Sequence, residues 1–482
     1  MDVLGWEILF LLIVGLWGLG FMVWAILRCG STPRAGNTLR SCKKGSPYER
    51  SGLLRFQANV LRPAERRRPG EGWDTMTRRT FLTSGVVFLL LWLMAAPAGT
   101  GEATVAGPQP EIQSRDAALS GSAVSKAEPE KSDWHYGGFA DLGYSLDFDF
   151  PQNHLWRNRT TTPRVNELDL NMAGAYARKD ATEQSRWGME FLVQGGQDAK
   201  DFGFHVNQPT VGSSDQLRHF GRGNLSYLAP VGNGLTVQTG LFNSLIGYDS
   251  LYAKDNINYT RPWIGDYSPY LMFGVNASYP FSEQLTGSLF VINSYFHLSH
   301  PNSVPSYGGQ LAYKPSRRWT WKETVYYGPE QSDTAIEFWR LFFDTIAEWK
   351  GDEVTVAFEH QIGTENLAVP GSPRTFWTGA MLPVQWNFSG PWSVAIRPEF
   401  YWDRNGRLTG FEQFVKAITT TVGYRIPYGW TNTILRLEHR YDESTGAGGG
   451  FFKGGEVSPG VIGLTSAQHM LIFSAIWTFD SP

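Results

Sequence analysis

His135 to Phe150 reads HYGGFADLGYSLDFDF, and its alternation decides the fold. Tyr136, Gly138, Ala140, Leu142, Tyr144, Leu146, Phe148 and Phe150 share one face of an extended chain. His135, Gly137, Asp141, Gly143, Ser145, Asp147 and Asp149 share the other, with Phe139 its one large apolar exception. Successive side chains of a strand point to opposite faces, so period two means strand. Strands of soluble sheets average about five or six residues. A longer one, oily on one face and acidic on the other, suits a wall with lipid outside and water inside.

The pattern recurs down the chain. Leu168, Leu170, Met172 and Tyr176 oppose Glu167, Asp169 and Asn171. Sixteen such segments fit between residues 135 and 479. Most are near the roughly 9–11 residues that a tilted transmembrane strand needs. Every second connection is short: 180–184, 230–234, 280–284, 315–318, 351–353, 388–391 and 426–431. The others are mostly long: 151–164, 197–218, 245–270, 364–373, 404–413 and 443–468, with shorter ones at 296–304 and 329–337. This predicts an all-β protein, a transmembrane antiparallel β-barrel of about 16 strands with short periplasmic turns and long extracellular loops. Only closure pairs every backbone group in hydrocarbon. At this strand number the lumen is wide enough for water.

Tryptophan supplies an independent check. Trp187, Trp319, Trp349, Trp386, Trp392 and Trp430 lie in or beside the short turns. A ring of amphipathic indoles along one rim is an aromatic girdle at headgroup level. Composition agrees: charged residues are 18%, aromatics 14% and Gly 53 of 482, which excludes coiled coil and disorder for most of the chain. A net charge of -3 leaves no basic footprint for nucleic acid. Both cysteines, Cys29 and Cys42, precede the barrel, so disulfide and thiolate-metal chemistry are excluded within it.

Residues 76–98, MTRRTFLTSGVVFLLLWLMAAPA, contain a charged start, an apolar centre and an A-x-A site, the parts of an export signal. Residues 1–75 carry an apolar run from Ile8 to Leu27 and an Arg-rich tail. They read as an upstream extension of a gene beginning at Met76, or as a membrane helix. Residues 99–133, rich in Ala, Gly, Ser, Glu and Pro, read as a disordered linker to the barrel at 134–482.

Several short motifs follow one another in a familiar order: Gly138-Phe139-Ala140-Asp141, Asn166-Glu167-Leu168, Gly240-Leu241-Phe242, Leu245-Ile246-Gly247, Asn256-Ile257-Asn258-Tyr259-Thr260-Arg261 and Gly274-Val275-Asn276-Ala277-Ser278-Tyr279. This order resembles the β-barrel porin-2, OmpL-like family of bacterial outer-membrane proteins. The resemblance covers most of 134–482, is concentrated in 136–295, and implies a porin without supplying a substrate. Asp249 stands near where Glu is expected, and the chain runs three residues past the aromatic Phe479.

No catalytic constellation emerges. His297 and His300 share a loop with no carboxylate or thiol nearby, so solvated loop histidines are the better reading. Glu359 and His360 point to opposite faces of one strand and cannot act together. No metal, cofactor or catalytic site is expected. The chemistry lies on the lumen wall, where Asp141, Asp147, Asp149, Glu167, Asp169, Arg340, Arg397, Glu399, Arg436, Glu438 and Arg440 are expected to face inward. Basic side chains on the lipid face cost roughly 2–4 kcal/mol near the midplane, acidic ones less.

The connection 245–270 carries Tyr248, Tyr252, Tyr259, Trp263, Tyr267 and Tyr270 and is too aromatic to stay in water. It is expected either to tuck into the lumen, with Arg261 at the narrowest point paired to an inward carboxylate, or to form a lid. The connection 443–468 holds eight glycines and is expected to be mobile. Three readings follow: a water-filled channel for small hydrophilic solutes or ions, a structural or adhesive barrel with a blocked pore, and a barrel-embedded enzyme. Expected partners are outer-membrane lipid, the barrel assembly machinery and small hydrophilic solutes. A homotrimer is one assembly to expect of a barrel this size.

Overall fold

A computed structural model describes residues 134–201, 218–296, 302–331, 338–369 and 371–481. The extension 1–75, the signal 76–98, the linker 99–133 and the pair His297 and His300 lie outside the described residues. Among the described residues no helix is long and apolar enough to cross a membrane.

The wall begins with β1 (Trp134–Asp147), β2 (Leu168–Lys179), β3 (Trp187–Gly195), β4 (Phe220–Ala229) and β5 (Leu235–Asn243). It continues through β6 (Leu271–Pro280), β7 (Leu285–Ile292), β8 (Ser306–Ser316), β9 (Trp319–Pro329), β10 (Trp339–Lys350) and β11 (Val354–Glu365). Then come β12 (Thr375–Met381), β13 (Val384–Ser389), β14 (Trp392–Asp403), β15 (Gln413–Tyr428) and β16 (Thr431–Thr445). β17 (Phe451–Ser458) and β18 (Val461–Thr465) form a separate hairpin before β19 (Ala467–Asp480). Neighbours pair antiparallel, and β1 closes on β19 from Gly137 opposite Asp480 to Asp147 opposite Met470. β12 and β13 are halves of one wall strand, since both pair with β11 and β14. The result is a closed barrel of sixteen strands, as the alternation predicts.

The sequence reads residues 374–387 as one unbroken strand, and the break falls at Pro383. Proline has no N–H for the ladder. Its carbonyl still accepts from Ala357 at 2.9 Å, and Leu382 N–H still reaches Pro398 at 3.1 Å.

A second difference concerns β2. Asp141 faces Met172 while Leu142 faces Leu170, so Asn171 is an extra residue. A bulge of one residue reverses the facing of everything beyond it. Leu168 and Leu170 are exposed outside as expected, but Met172 is buried inside and Tyr176 reaches Asp480. A third difference is the connection 443–468, expected to be mobile: most of it is the β17–β18 hairpin.

Elsewhere the facing holds. Asp141, Asp147, Arg340, Arg397, Glu399, Glu438 and Arg440 are buried within, while Leu142, Phe343, Ile396, Leu435 and Leu437 are exposed without. Trp187, Trp319, Trp386, Trp392 and Trp430 are exposed along the rim of short turns.

Candidate functional site inside the barrel

Between β5 and β6 the chain leaves the wall and enters the lumen. Ser244 N–H donates to Tyr270 at 3.0 Å and closes the base of this excursion. Gly247, at φ +90°, allows the inward bend that an L side chain would resist. The Asn256 side chain then stitches the segment to itself. It accepts from Ser250 N–H and donates to Ser250 O, both at 2.8 Å. A helical turn, Trp263–Asp266, starts at Pro262, whose missing N–H costs nothing there.

A backbone inside a barrel has to find partners for its polar groups, and the wall provides them. On the near side Gly247 N–H donates to Asp344 at 2.8 Å and Tyr248 N–H to Glu359 at 3.1 Å. Gln310 and Thr324 both donate to Leu245 O.

The opposite wall, β14 to β16, binds the far end. Arg436 donates to the carbonyls of Ala253, Asn256 and Asn258 at 2.8, 2.6 and 3.3 Å. Glu438 accepts from the N–H groups of Tyr259 and Thr260 at 2.7 and 3.0 Å. Arg397 donates to Thr260 O at 2.7 Å, and Arg440 to Arg261 O at 3.1 Å. Glu399 accepts Trp263 N–H at 2.6 Å, while Asp442 accepts its indole N–H at 2.7 Å. On β1, Asp141 accepts the Tyr259 hydroxyl at 2.8 Å. The segment therefore spans the lumen.

Most of the charges expected on the lumen wall meet here, though they are engaged by a peptide and by one another. Arg397 pairs with Asp249 at 3.5 Å and Glu399 at 3.3 Å. Arg440 pairs with Glu399 at 3.0 Å and Asp442 at 2.9 Å. Arg340 pairs with Glu365 at 2.8 Å, which Arg407 shares. Asp169 accepts from Gln197 at 3.2 Å, and Asp147 caps Asp149 N–H at 2.9 Å. Two of the expected lining residues instead belong to the rim, since both fall just outside a strand. Asp149 pairs with Lys453 at 3.2 Å and Glu167 with Arg164.

Arg261 also differs from expectation. Its side chain is wholly buried, so it lines no water-filled constriction, and it pairs with Asp198 at 3.1 Å instead of a wall carboxylate. Asp198 begins a short helical turn in the β3–β4 connection. Burial pushes its carboxyl up to about 7 against the pull of Arg261.

Aromatic packing completes the seal. Trp263, Ile264 and Tyr267 share one buried cluster with Phe342, Trp377 and Tyr401, and Tyr252 shares another with Phe139 and Met172. The β1–β2 connection forms a layer above. Arg159 pairs with Asp266 at 2.8 Å, and Trp156 is buried. Phe150, His154, Asn158, Thr162 and Asn166 all have positive φ, so this connection bends the same way every fourth residue.

Asp344, Glu359 and Asp442 belong to the inward set by alternation alone, whereas Asp198, Arg159 and Asp266 lie in connections without periodicity. Glu359 is inside and His360 outside, as expected. Among the described residues no group of three or more His, Cys, Asp or Glu could hold a metal.

No curated protein matches the sequence. Solved structures resemble it only distantly. OmpF of Salmonella typhi in complex with daunomycin matches with a TM-score of 0.47 and 10% identity, over 72% of this chain and 97% of that one. The outer membrane channel DcaP of Acinetobacter baumannii gives 0.46 and 8%, over 72% and 96%. OmpT of Vibrio cholerae in its trimer form gives 0.43 and 9%, over 72% and 99%. None of these says what crosses this barrel. The family model described as "Putative beta-barrel porin-2, OmpL-like" matches residues 134–479. With that match spanning the whole closed barrel, the chain belongs to the beta-barrel porin-2, OmpL-like family of outer-membrane proteins.

Proposed function

We propose that the barrel is a channel for small hydrophilic solutes or ions whose passage is governed by the segment 244–270. One observation carries the reading: the lumen-facing charges of β14 to β16 hold a peptide that enters from the opposite wall. Hydrogen bonds to charged groups contribute about 1.5–3 kcal/mol each, and a bound water can replace any of them. A plug held this way is displaceable. The reading includes no catalytic step and no cofactor. Its partners are outer-membrane lipid, the barrel assembly machinery and the solutes, with export directed by residues 76–98.

A second reading, a structural barrel with a blocked pore, is favoured by the apolar clusters around Trp263 and Tyr252, which water does not loosen. Planar-bilayer recording separates the two. Discrete conductance steps from the purified protein support the channel. A parent protein that folds as a barrel yet stays silent, while a variant with the segment shortened conducts, supports the blocked barrel.

A further inference from the structure

The outward face of a barrel strand meets hydrocarbon, so an ionisable side chain there calls for a partner. The outward row across β9, β10 and β11 carries two. Thr345 stands opposite Glu323 on one side and opposite His360 on the other. Their strand neighbours Thr324, Asp344, Glu359 and Gln361 are buried inside, whereas Val325, Phe343 and Phe358 on the outward face are exposed.

The aromatic belts give the depth. Trp319 faces Trp349 four rungs toward the short turns, and the exposed Tyr327 lies four residues the other way, facing the exposed Tyr307. At about 3.3 Å per residue and ~40° of tilt, four residues rise roughly 10 Å along the membrane normal. Glu323 is therefore centred in an apolar band about 25 Å tall.

Local contacts leave valences open. Glu323 accepts from the Trp321 indole at 3.1 Å and from the Thr345 hydroxyl at 2.8 Å. The Thr378 hydroxyl gives its one proton to Gln361 O at 2.8 Å, so at 3.1 Å it accepts from His360 Nε2. That fixes a proton on Nε2 and leaves Nδ1 without a partner among the described residues.

We propose that this face, centred on Thr345, packs against a second copy of the chain across a two-fold axis along the membrane normal. An acid on one side of Thr345 and an imidazole on the other make the patch self-complementary. The rotation turns Glu323 of each copy toward His360 of the other and brings Thr345 to Thr345. Docking withdraws both ionisable groups from lipid and gives each an opposite partner. The assembly is a dimer, in place of the trimer expected from strand number.

The test uses the full chain with Cys29→Ser and Cys42→Ser, oxidised in native outer membranes, each variant checked for folding by heat-modifiable migration. Thr345→Cys should give a disulfide-linked dimer in at least tenfold the yield of Ala175→Cys, an exposed position on β2 across the barrel. A yield no higher than that control, or cross-linking to a different protein, overturns the proposal. Adding Glu323→His to Thr345→Cys should lower the yield several-fold, and adding His360→Glu as well should restore it. Failure of the exchange to restore a lowered yield also overturns it. If the exchanged protein does not fold, the comparison of Thr345→Cys with Ala175→Cys decides.

Discussion

Arg261 donates to Asp198 at 3.1 Å with both side chains wholly buried, tying the tip of the inserted segment to the connection between β3 and β4. Asp198 is the titratable end of this latch. Its folded value of about 7 lies above the ordinary 3.8, so the packed form binds the proton more tightly than the released form does. The resulting stability is complete below about pH 4 and is lost as pH rises through about 7. Conductance should therefore fall when the bath is taken from pH 8 to pH 5, and Asp198→Asn should flatten that dependence. Single-channel recording at both values checks it, and a pH response unchanged in Asp198→Asn counts against the latch.

Glu438 accepts two backbone N–H groups of the segment and the Thr421 hydroxyl. Glu438→Gln replaces the carboxylate with an amide that cannot accept all three. The loss should be about 1.5–3 kcal/mol, the range for hydrogen bonds to a charged group. The barrel should still show heat-modifiable migration while its conductance rises and becomes noisier. Quiet, unaltered steps would mean that Glu438 does not hold the segment.

The β2 bulge gives a prediction about facing. Deleting Asn171 removes the extra residue and restores plain alternation, so Met172 and Tyr176 should stay inside and Tyr176 should keep the contact to Asp480 that ties β2 to the closing strand. Folding yield should hold. In the intact chain, Ala175→Cys should react with a lipid-soluble maleimide and Met172→Cys should not. Equal labelling would remove the bulge from the account.

What could be read in advance, and what could not, divides on one physical line. Alternation reports the difference between lipid and lumen directly, so Arg397, Glu399, Glu438 and Arg440 could be placed on the inner wall from spacing alone. A single inserted residue such as Asn171 leaves no mark in composition, so plain alternation puts Met172 and Tyr176 on the wrong face. The partners of the inward charges were also hidden. The nearest backbone group that Glu438 binds is 178 residues away, and no local pattern encodes such a contact. The aromatic excess between Tyr248 and Tyr270 signals burial, but a lid would bury those rings as well as an inward turn does, so neither the direction of the turn nor its anchoring is encoded locally.

Thr162 sits at φ +50° with its hydroxyl buried and unpaired, while its N–H donates to Asp198 at 2.6 Å. Thr162→Gly keeps that donor and removes both the strain and the unpaired hydroxyl. Allowing for the greater freedom of glycine when unfolded, a gain of about 1 kcal/mol is expected. A higher midpoint in thermal unfolding of the detergent-solubilised barrel would show it, and a lower midpoint would place the cost elsewhere.

The central claim is that the segment 244–270 is the barrier in this barrel. Replacing residues 250–268 with a short Gly-Ser linker removes the contacts to β1, β15 and β16, and those to β14 other than the Asp249–Arg397 pair, and leaves the wall strands intact. In planar bilayers under identical salt, the shortened protein should conduct in steps several-fold larger than the parent, with less pH dependence. Equal step sizes in two folded barrels would contradict the account and put the barrier outside the segment.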